Sequence, residues 1–177
     1  MTGIEPDTKD WTWVLEDPCP DCGYDAGSIH PVDVADRIRQ DAKRWTARLA
    51  EPLVAVRPAP GVWSVLEYGC HVRDVHRVFA ERIRLMLAED DPHFPNWDQD
   101  ETAVVDDYAA QNPAAVATEL ERTAATVADA YASVPADGWS RRGFRSNGSE
   151  FTIATIARYH LHDVVHHTWD VTKPPPA

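Results

Sequence analysis

Apolar positions along this 177-residue chain recur at helical spacing, in segments that prolines separate. Proline lacks a backbone donor and clashes with the preceding helical turn, so long helices are expected between prolines. The long proline-free stretches are 32–51, 61–91, 96–112, 114–134 and 136–173. In all of them except 96–112, apolar residues three and four apart fall on one helical face, which predicts a long helix in each.

The helix predicted within 61–91 has a well-marked start. Ser64 and Glu67 form the S-x-x-E pattern of a capping box, and Trp63 with Tyr68 fits a hydrophobic staple. An apolar stripe follows at helical spacing. The sequence therefore predicts a helix from Ser64 to about Glu89.

The last stretch, "FTIATIARYHLHDVVHHTWDV", is apolar around much of its circumference, as in helices buried on more than one side. The acidic segment "EDDPHFPNWDQDETAVVDDY" at 89–108 predicts an acidic loop, with a short helix around Thr102 to Ala110. Alternating strand patterns are absent. We expect an all-α four-helix bundle at 31–171, preceded by an irregular N-terminal arm at 1–30 and followed by a Pro-rich tail at 172–177.

The charge balance excludes several classes of partner. Acids outnumber bases by 29 to 17, for a formal net charge of −12, and such a surface repels nucleic acids and anionic lipids. No apolar run approaches the ~20 residues that a membrane helix needs. The start "MTGIEPDTKD" lacks the layout of a signal peptide. We expect a cytoplasmic protein with a small-molecule substrate, no nucleic-acid or membrane partner, and a surface compatible with a homodimer.

Candidate chemistry is concentrated in "HLHDVVHH", which holds half of the eight histidines. Residues four apart share one helical face, so His162 and His166 can bind one metal ion. His71, near the start of the capped helix, is the candidate third ligand. Three protein ligands leave open positions for water or substrate, as in catalytic zinc sites, and nickel or iron also accepts imidazole.

Two alternatives to this site remain open. The apolar centre of the last helix points away from His162 and His166, whereas His160, Asp163 and His167 form a competing set. The histidines can also be hydrogen-bonded core residues that hold no metal.

Two known metal motifs are disfavoured. "HDVVH" resembles the zinc-protease pattern H-E-x-x-H, but Asp is one methylene shorter than Glu, and the chain ends before a third ligand could follow. A di-iron bundle needs two E-x-x-H motifs, and the spacing of Glu67 to His71 is one residue too long.

The segment "CPDCGYD" places Cys19 and Cys22 in a C-x-x-C pattern. This is half of a second metal site or a redox pair. A four-ligand site would need two further residues, for which Cys70 and His30 are the candidates. The alternative is a reduced turn that packs on the bundle.

The segments "WSVLEYGCHVRDV" and "ARYHLHDVVHH" together resemble the DinB-like superfamily, which includes mycothiol-dependent maleylpyruvate isomerase N-terminal domains and bacillithiol transferase-type proteins. The resemblance covers about residues 32–170. It implies a DinB-like four-helix bundle whose divalent metal, zinc in the first instance, is held by His71, His162 and His166.

The same resemblance implies a thiol S-transferase, with a low-molecular-weight thiol as co-substrate, or a small-molecule hydrolase. In either case the metal makes a nucleophile at neutral pH. Tyr159 could then orient a substrate or donate a proton, and Arg158 could pair with a carboxylate; the alternative for both is a packing or surface role. The alternative is a non-catalytic bundle that binds a metal or a small molecule in a stress or regulatory role.

Overall fold

The computed structural model, which describes residue 4 and residues 9–173, is a bundle of four long helices. These are α1 (Val34–Leu49), α2 (Val65–Ala88), α4 (Pro113–Ala132) and α5 (Ile153–Thr172), with a short α3 (Gln99–Val105) between α2 and α4. The predicted fold class is confirmed. The predicted short helix around Thr102 to Ala110 is present as α3 followed by a 3-10 turn at Tyr108–Ala110.

Helices α1 and α2 each pack mainly against α4 and α5, so α1 and α2 lie diagonally across the bundle although they are consecutive in the chain. The core contains large, fully buried side chains from all four helices, among them Trp45, Ile83, Leu120, Tyr131 and Leu161. Burial of each such side chain stabilises the fold by about 1.5–3 kcal/mol. This core fixes which faces of α2 and α5 meet.

The start of α2 matches the predicted pattern. Ser64 Oγ accepts from the Glu67 amide at 3.2 Å, and Glu67 Oε2 accepts from the Ser64 amide at 2.8 Å. The Trp63 and Tyr68 rings pack edge to face with centroids 5.4 Å apart. Arg57 also donates to the Glu67 carboxylate at 3.0 Å. The capping box and staple are thus confirmed, and they set the register of α2.

A small three-stranded sheet corrects the expectation that strands are absent. Strand β2 (Arg142–Arg145) pairs in parallel with β1 (His93–Phe94) and antiparallel with β3 (Glu150–Thr152). At two to four residues, these strands are too short to show an alternating pattern. The sheet leads directly into α5, because Thr152, the last residue of β3, caps that helix.

Residues 9–30 form an arm that lies on α5. The Tyr24 hydroxyl donates to the Arg158 carbonyl at 2.8 Å, and Arg158 Nε donates to the Ile29 carbonyl at 2.9 Å. The first residue of the predicted Pro-rich tail, Thr172, is the last residue of α5. The part of the tail from 174 onward lies outside the described residues. Within the described part of the chain, no helix is long and apolar enough to cross a membrane.

A buried carboxylate lies where α1 meets α5. Asp41 accepts from the Thr168 hydroxyl at 3.1 Å. Burial raises the pKa of Asp41 to about 6, against weaker lowering effects of Thr168 and Arg44. Between the ordinary value of 3.8 and about 6, the folded protein holds a proton that the unfolded chain has lost. Stability therefore falls as the pH rises through this window.

We expect Asp41→Asn to raise the free energy of unfolding near pH 7.5 by up to about 3 kcal/mol, because it removes a buried charge. Near pH 4.5 the substitution should raise the free energy of unfolding by less, since Asp41 is then largely neutral in the folded protein. Urea unfolding at both pH values measures this. Asp36→Asn, on the same helix with a side chain 80% exposed, is the control. An equal increase in the free energy of unfolding at both pH values would contradict a raised pKa for Asp41.

Candidate metal centre

Helix α5 carries two pairs of side chains of types that can ligate a metal, His162 with His166 and Asp163 with His167. Each pair has the i,i+4 spacing that places both members on one face. The pairs are offset by one residue, which is a rotation of about 100° on an α-helix. The first pair faces the arm and the second faces α2. One helix thus contributes to two separate groups.

The group between α2 and α5, here called the α2–α5 cluster, consists of His71, Asp163 and His167. Its ligand atoms all lie within 4.8 Å of one another. His71 Nε2 is 3.5 Å and His167 Nε2 is 3.7 Å from Asp163 Oδ1. The two imidazole rings meet edge to face at 4.6 Å. Two imidazoles and a carboxylate therefore converge on one point.

Several atoms of this cluster lack hydrogen bonds. His71 is fully buried, and among the described residues neither of its ring nitrogens has a hydrogen-bond partner. Asp163 Oδ1 is buried and also unbonded. Each such buried polar atom costs about 1–3 kcal/mol. A cation bound between His71 Nε2 and Asp163 Oδ1, which lie 3.5 Å apart, would satisfy these two atoms, so the residues present fit a divalent metal.

The electrostatics suit the same ligand role. Burial holds the pKa of His71 below its ordinary value, although Asp163 acts in the opposite sense. His71 is therefore neutral near pH 7, with a lone pair available to a metal. Burial would raise the pKa of Asp163, but His71 and His167 outweigh it and hold that pKa below the ordinary value. The cluster thus offers an ionised carboxylate beside a neutral imidazole.

A further carboxylate orients His167. Its Nδ1 lies 3.0 Å from Asp170 Oδ2, which leaves Nε2 directed toward Asp163. Lys173 Nζ donates to the other oxygen of Asp170 at 2.7 Å. Metal-binding histidines commonly donate their second ring N–H to a carboxylate in this way.

Aromatic side chains surround the cluster. The Trp97 ring stacks on His71 at 5.4 Å, and its Nε1 donates to Thr102 of α3 at 2.8 Å. Trp63 and Tyr68 pack on His71 and His167, with ring centroids 5.5 and 5.1 Å apart. The acidic loop thus supplies Trp97, and the start of α2 supplies the other two rings.

The cluster borders a cavity of about 270 Å³. Its walls include the aromatic residues Trp11, Trp63, Tyr68 and Tyr159, together with Asp163, His167 and Asp170. His162 and His166 form part of the same wall next to Trp11. A small molecule in this cavity would reach both ligands that α5 contributes to the cluster.

The structure divides the predicted triad of His71, His162 and His166 between two groups. His71 meets Asp163 and His167, one position along α5 from the predicted pair. The competing set shares Asp163 and His167 with this cluster but also included His160. In the structure, His160 bonds instead to the buried His76 and Tyr131, at 3.0 Å each. His160 is therefore a core residue.

The two predicted catalytic side chains differ in position. Tyr159 lines the cavity and packs against Phe151, with ring centroids 5.4 Å apart. Arg158 is not among the described residues that line the cavity; it binds the Ile29 carbonyl and holds the arm. Sequence reasoning missed Asp170, for which the spacing His167-x-x-Asp170 on one helix was an available signal.

The second group, here called the arm cluster, consists of Cys19, Cys22, His162 and His166. Its ligand atoms also lie within 4.8 Å of one another. The expected partners of the cysteines, Cys70 and His30, do not take part. Cys70 is buried in α2 with its sulfur 3.9 Å from the Tyr108 carbonyl, and His30 is exposed at the end of the arm. His162 and His166 occupy the two positions instead.

A family model of the DinB superfamily matches residues 33–171. The chain belongs to the DinB superfamily. A solved structure from Bacillus subtilis, YfiT, described as a probable metal-dependent hydrolase with an unusual four-helix bundle topology, is similar over 84% of each chain. Its TM-score is 0.70 at 15% sequence identity, so the similarity shows a shared fold. No curated protein matches this DinB-superfamily chain.

We expect Asp170→Asn to weaken divalent-metal binding at the α2–α5 cluster by about 10–100-fold, because His167 loses the carboxylate that orients it. Competition with a chelating dye measures the affinity. The titration uses a Cys19→Ser/Cys22→Ser background, so that the arm cluster does not contribute. Lys173→Gln removes the ion pair that Lys173 makes with Asp170 and is the matched control. If both variants lost affinity equally, Asp170 would not act through His167.

Proposed function

We propose that this DinB-superfamily chain is a metal-dependent hydrolase of small molecules, with a divalent ion held by His71, Asp163 and His167. The observation that carries the proposal is the set of buried, unbonded ligand atoms on His71 and Asp163 beside the cavity. The similarity to YfiT, itself described as a probable metal-dependent hydrolase, supports the same reaction class.

The ligand set is compatible with a catalytic metal. Two imidazoles and one carboxylate form a three-ligand site that leaves positions open for water or substrate, as in zinc hydrolases. Iron and nickel accept the same donors. When bound, such an ion supplies a nucleophile at neutral pH, by lowering the pKa of water or by binding a thiolate.

The residues of the chain perform the remaining tasks. Asp170 orients His167, and Trp11 and Trp63 supply aromatic surface to the cavity wall. Burial raises the pKa of Tyr68, and the nearby acids Asp170 and Glu67 act in the same sense. The Tyr68 hydroxyl therefore stays protonated near pH 7 and can donate a hydrogen bond to a substrate oxygen.

The cavity restricts the substrate class. At about 270 Å³, it is slightly smaller than the roughly 300–1,000 Å³ that is usual for ligand pockets. Asp100 and Asp170 are part of its wall, and the chain carries a net charge of −12. These charges repel anions. The expected substrate is therefore small and uncharged or cationic.

We expect His71→Ala and Asp163→Asn each to remove about one equivalent of metal and to reduce turnover to background. Plasma mass spectrometry in the Cys19→Ser/Cys22→Ser background gives the metal content. Hydrolysis of a panel of small esters, amides and lactones gives the activity. His30→Ala, an exposed histidine outside both clusters, is the control and should change neither.

Three outcomes would revise the proposal. Turnover that requires an added low-molecular-weight thiol would identify an S-transferase at the same site. Full metal content without turnover would indicate a non-catalytic metal-binding protein. If His162→Ala with intact cysteines removed the same ion as His71→Ala, the metal would be held by His71, His162 and His166 instead.

A further inference from the structure

We propose that Cys19, Cys22, His162 and His166 bind a second metal ion, a tetrahedral zinc that fastens the N-terminal arm to α5. This site is separate from the proposed hydrolytic centre, to which it contributes no ligand. Its role is to hold one wall of the cavity in place.

The spacing of the ligand atoms fits zinc. Cys19 Sγ and His166 Nδ1 are 3.6 Å apart. A tetrahedral ion with Zn–S of about 2.3 Å and Zn–N of about 2.0 Å separates a sulfur from a nitrogen by about 3.5 Å. The four ligand atoms lie within 4.8 Å of one another before any ion is bound. The site therefore needs little rearrangement to close around zinc.

The backbone around the cysteines forms a tight turn. The Gly23 amide donates to the Cys19 carbonyl at 2.9 Å, and the Cys19 amide donates to the Tyr24 carbonyl at 2.8 Å. Gly23 has φ of +72°, a left-handed conformation that favours glycine. This turn presents both sulfurs to α5, where the i,i+4 pair supplies two nitrogens.

An independent observation supports a bound ion at this site. His162 is 3% exposed, and its Nε2 is buried without a hydrogen-bond partner among the described residues. Burial and the neighbouring His166 lower the pKa of His162 to about 4. The ring is therefore neutral near pH 7, with a lone pair that no described side chain uses. A zinc ion would complete its bonding.

Two cysteines with two histidines are a donor set that structural zinc sites use. Binding of one zinc would release two protons, one from each thiol, and form two zinc–sulfur bonds. The two thiolates would then balance the charge of the ion. No oxidant or reductant takes part.

Trp11 links the position of the arm to the shape of the cavity. Its ring lies 5.1 Å from the His166 ring and 5.7 Å from the His162 ring, and it lines the cavity. The arm passes from Trp11 through the 3-10 turn Thr12–Leu15 to the two cysteines. Zinc at the arm cluster would therefore keep Trp11 against α5 as part of the cavity wall.

X-ray absorption on zinc-loaded His71→Ala tests the site directly, since this variant lacks a ligand of the α2–α5 cluster. We expect about one zinc per chain, with sulfur neighbours near 2.3 Å and nitrogen neighbours near 2.0 Å in equal numbers. A zinc shell without sulfur, or no bound zinc, would overturn the inference. So would a Cys19–Cys22 disulfide in place of zinc.

The effect on the arm is measured by hydrogen exchange in the full chain. Cys19→Ser/Cys22→Ser should lose about one zinc and exchange the amides of residues 11–28 at least about tenfold faster, while metal at the α2–α5 cluster remains. Cys70→Ala, which leaves both clusters intact, should match the wild type. Unchanged exchange would overturn the fastening role, even if zinc binds.

These results are independent of the proposed function. A sulfur-containing zinc shell in His71→Ala would stand even if no substrate of the α2–α5 cluster were found. Should the double serine variant fail to fold, the absorption measurement on His71→Ala still decides the ligand set.

Discussion

The rotation of α5 about its own axis is the constraint on which both clusters depend. Two ligand pairs that differ by one residue must face directions about 100° apart. The buried apolar positions Ile153, Ile156, Ala157, Leu161 and Val164 fix this rotation. With α5 held in this way, Asp163 and His167 meet α2, while His162 and His166 meet the arm. A different rotation would direct each pair away from its partners.

Burying imidazole and carboxylate atoms without hydrogen bonds lowers the stability of the fold, and the surrounding structure must offset this loss of free energy. The atoms concerned, on His71, His162 and Asp163, are buried without hydrogen bonds. Well-satisfied polar groups lie close by: the capping box at Ser64 and Glu67 starts α2, and the Asp74 carboxylate accepts from the Tyr108 hydroxyl at 2.6 Å. Core packing and these bonds stabilise a scaffold in which the ligand atoms remain free for metal.

Local patterns predicted the bundle well, but they could not settle the pairing of ligands. The start of α2 was predictable because a capping box and a staple involve residues within a few positions of one another. On α5, the pairs His162/His166 and Asp163/His167 have identical spacing, so the residues alone do not reveal which pair meets His71. The partners of Cys19 are more than 140 positions away, where only the tertiary fold brings them together. The short sheet lacked any periodic signal.

The arrangement also connects the chemistry of the cavity to the position of the arm. Adjacent residues His166 and His167 bind different partners, so the arm and α2 are tied to the same turn of one helix. Trp11 lines the cavity from the arm side, and Trp97 stacks on His71 from the acidic loop. The helices supply a rigid base for the ligands, whereas both aromatic covers come from irregular segments. The positions of these two segments therefore shape the cavity wall. The Tyr24 and Arg158 hydrogen bonds hold the arm on α5, and the arm cluster is the further attachment that we propose.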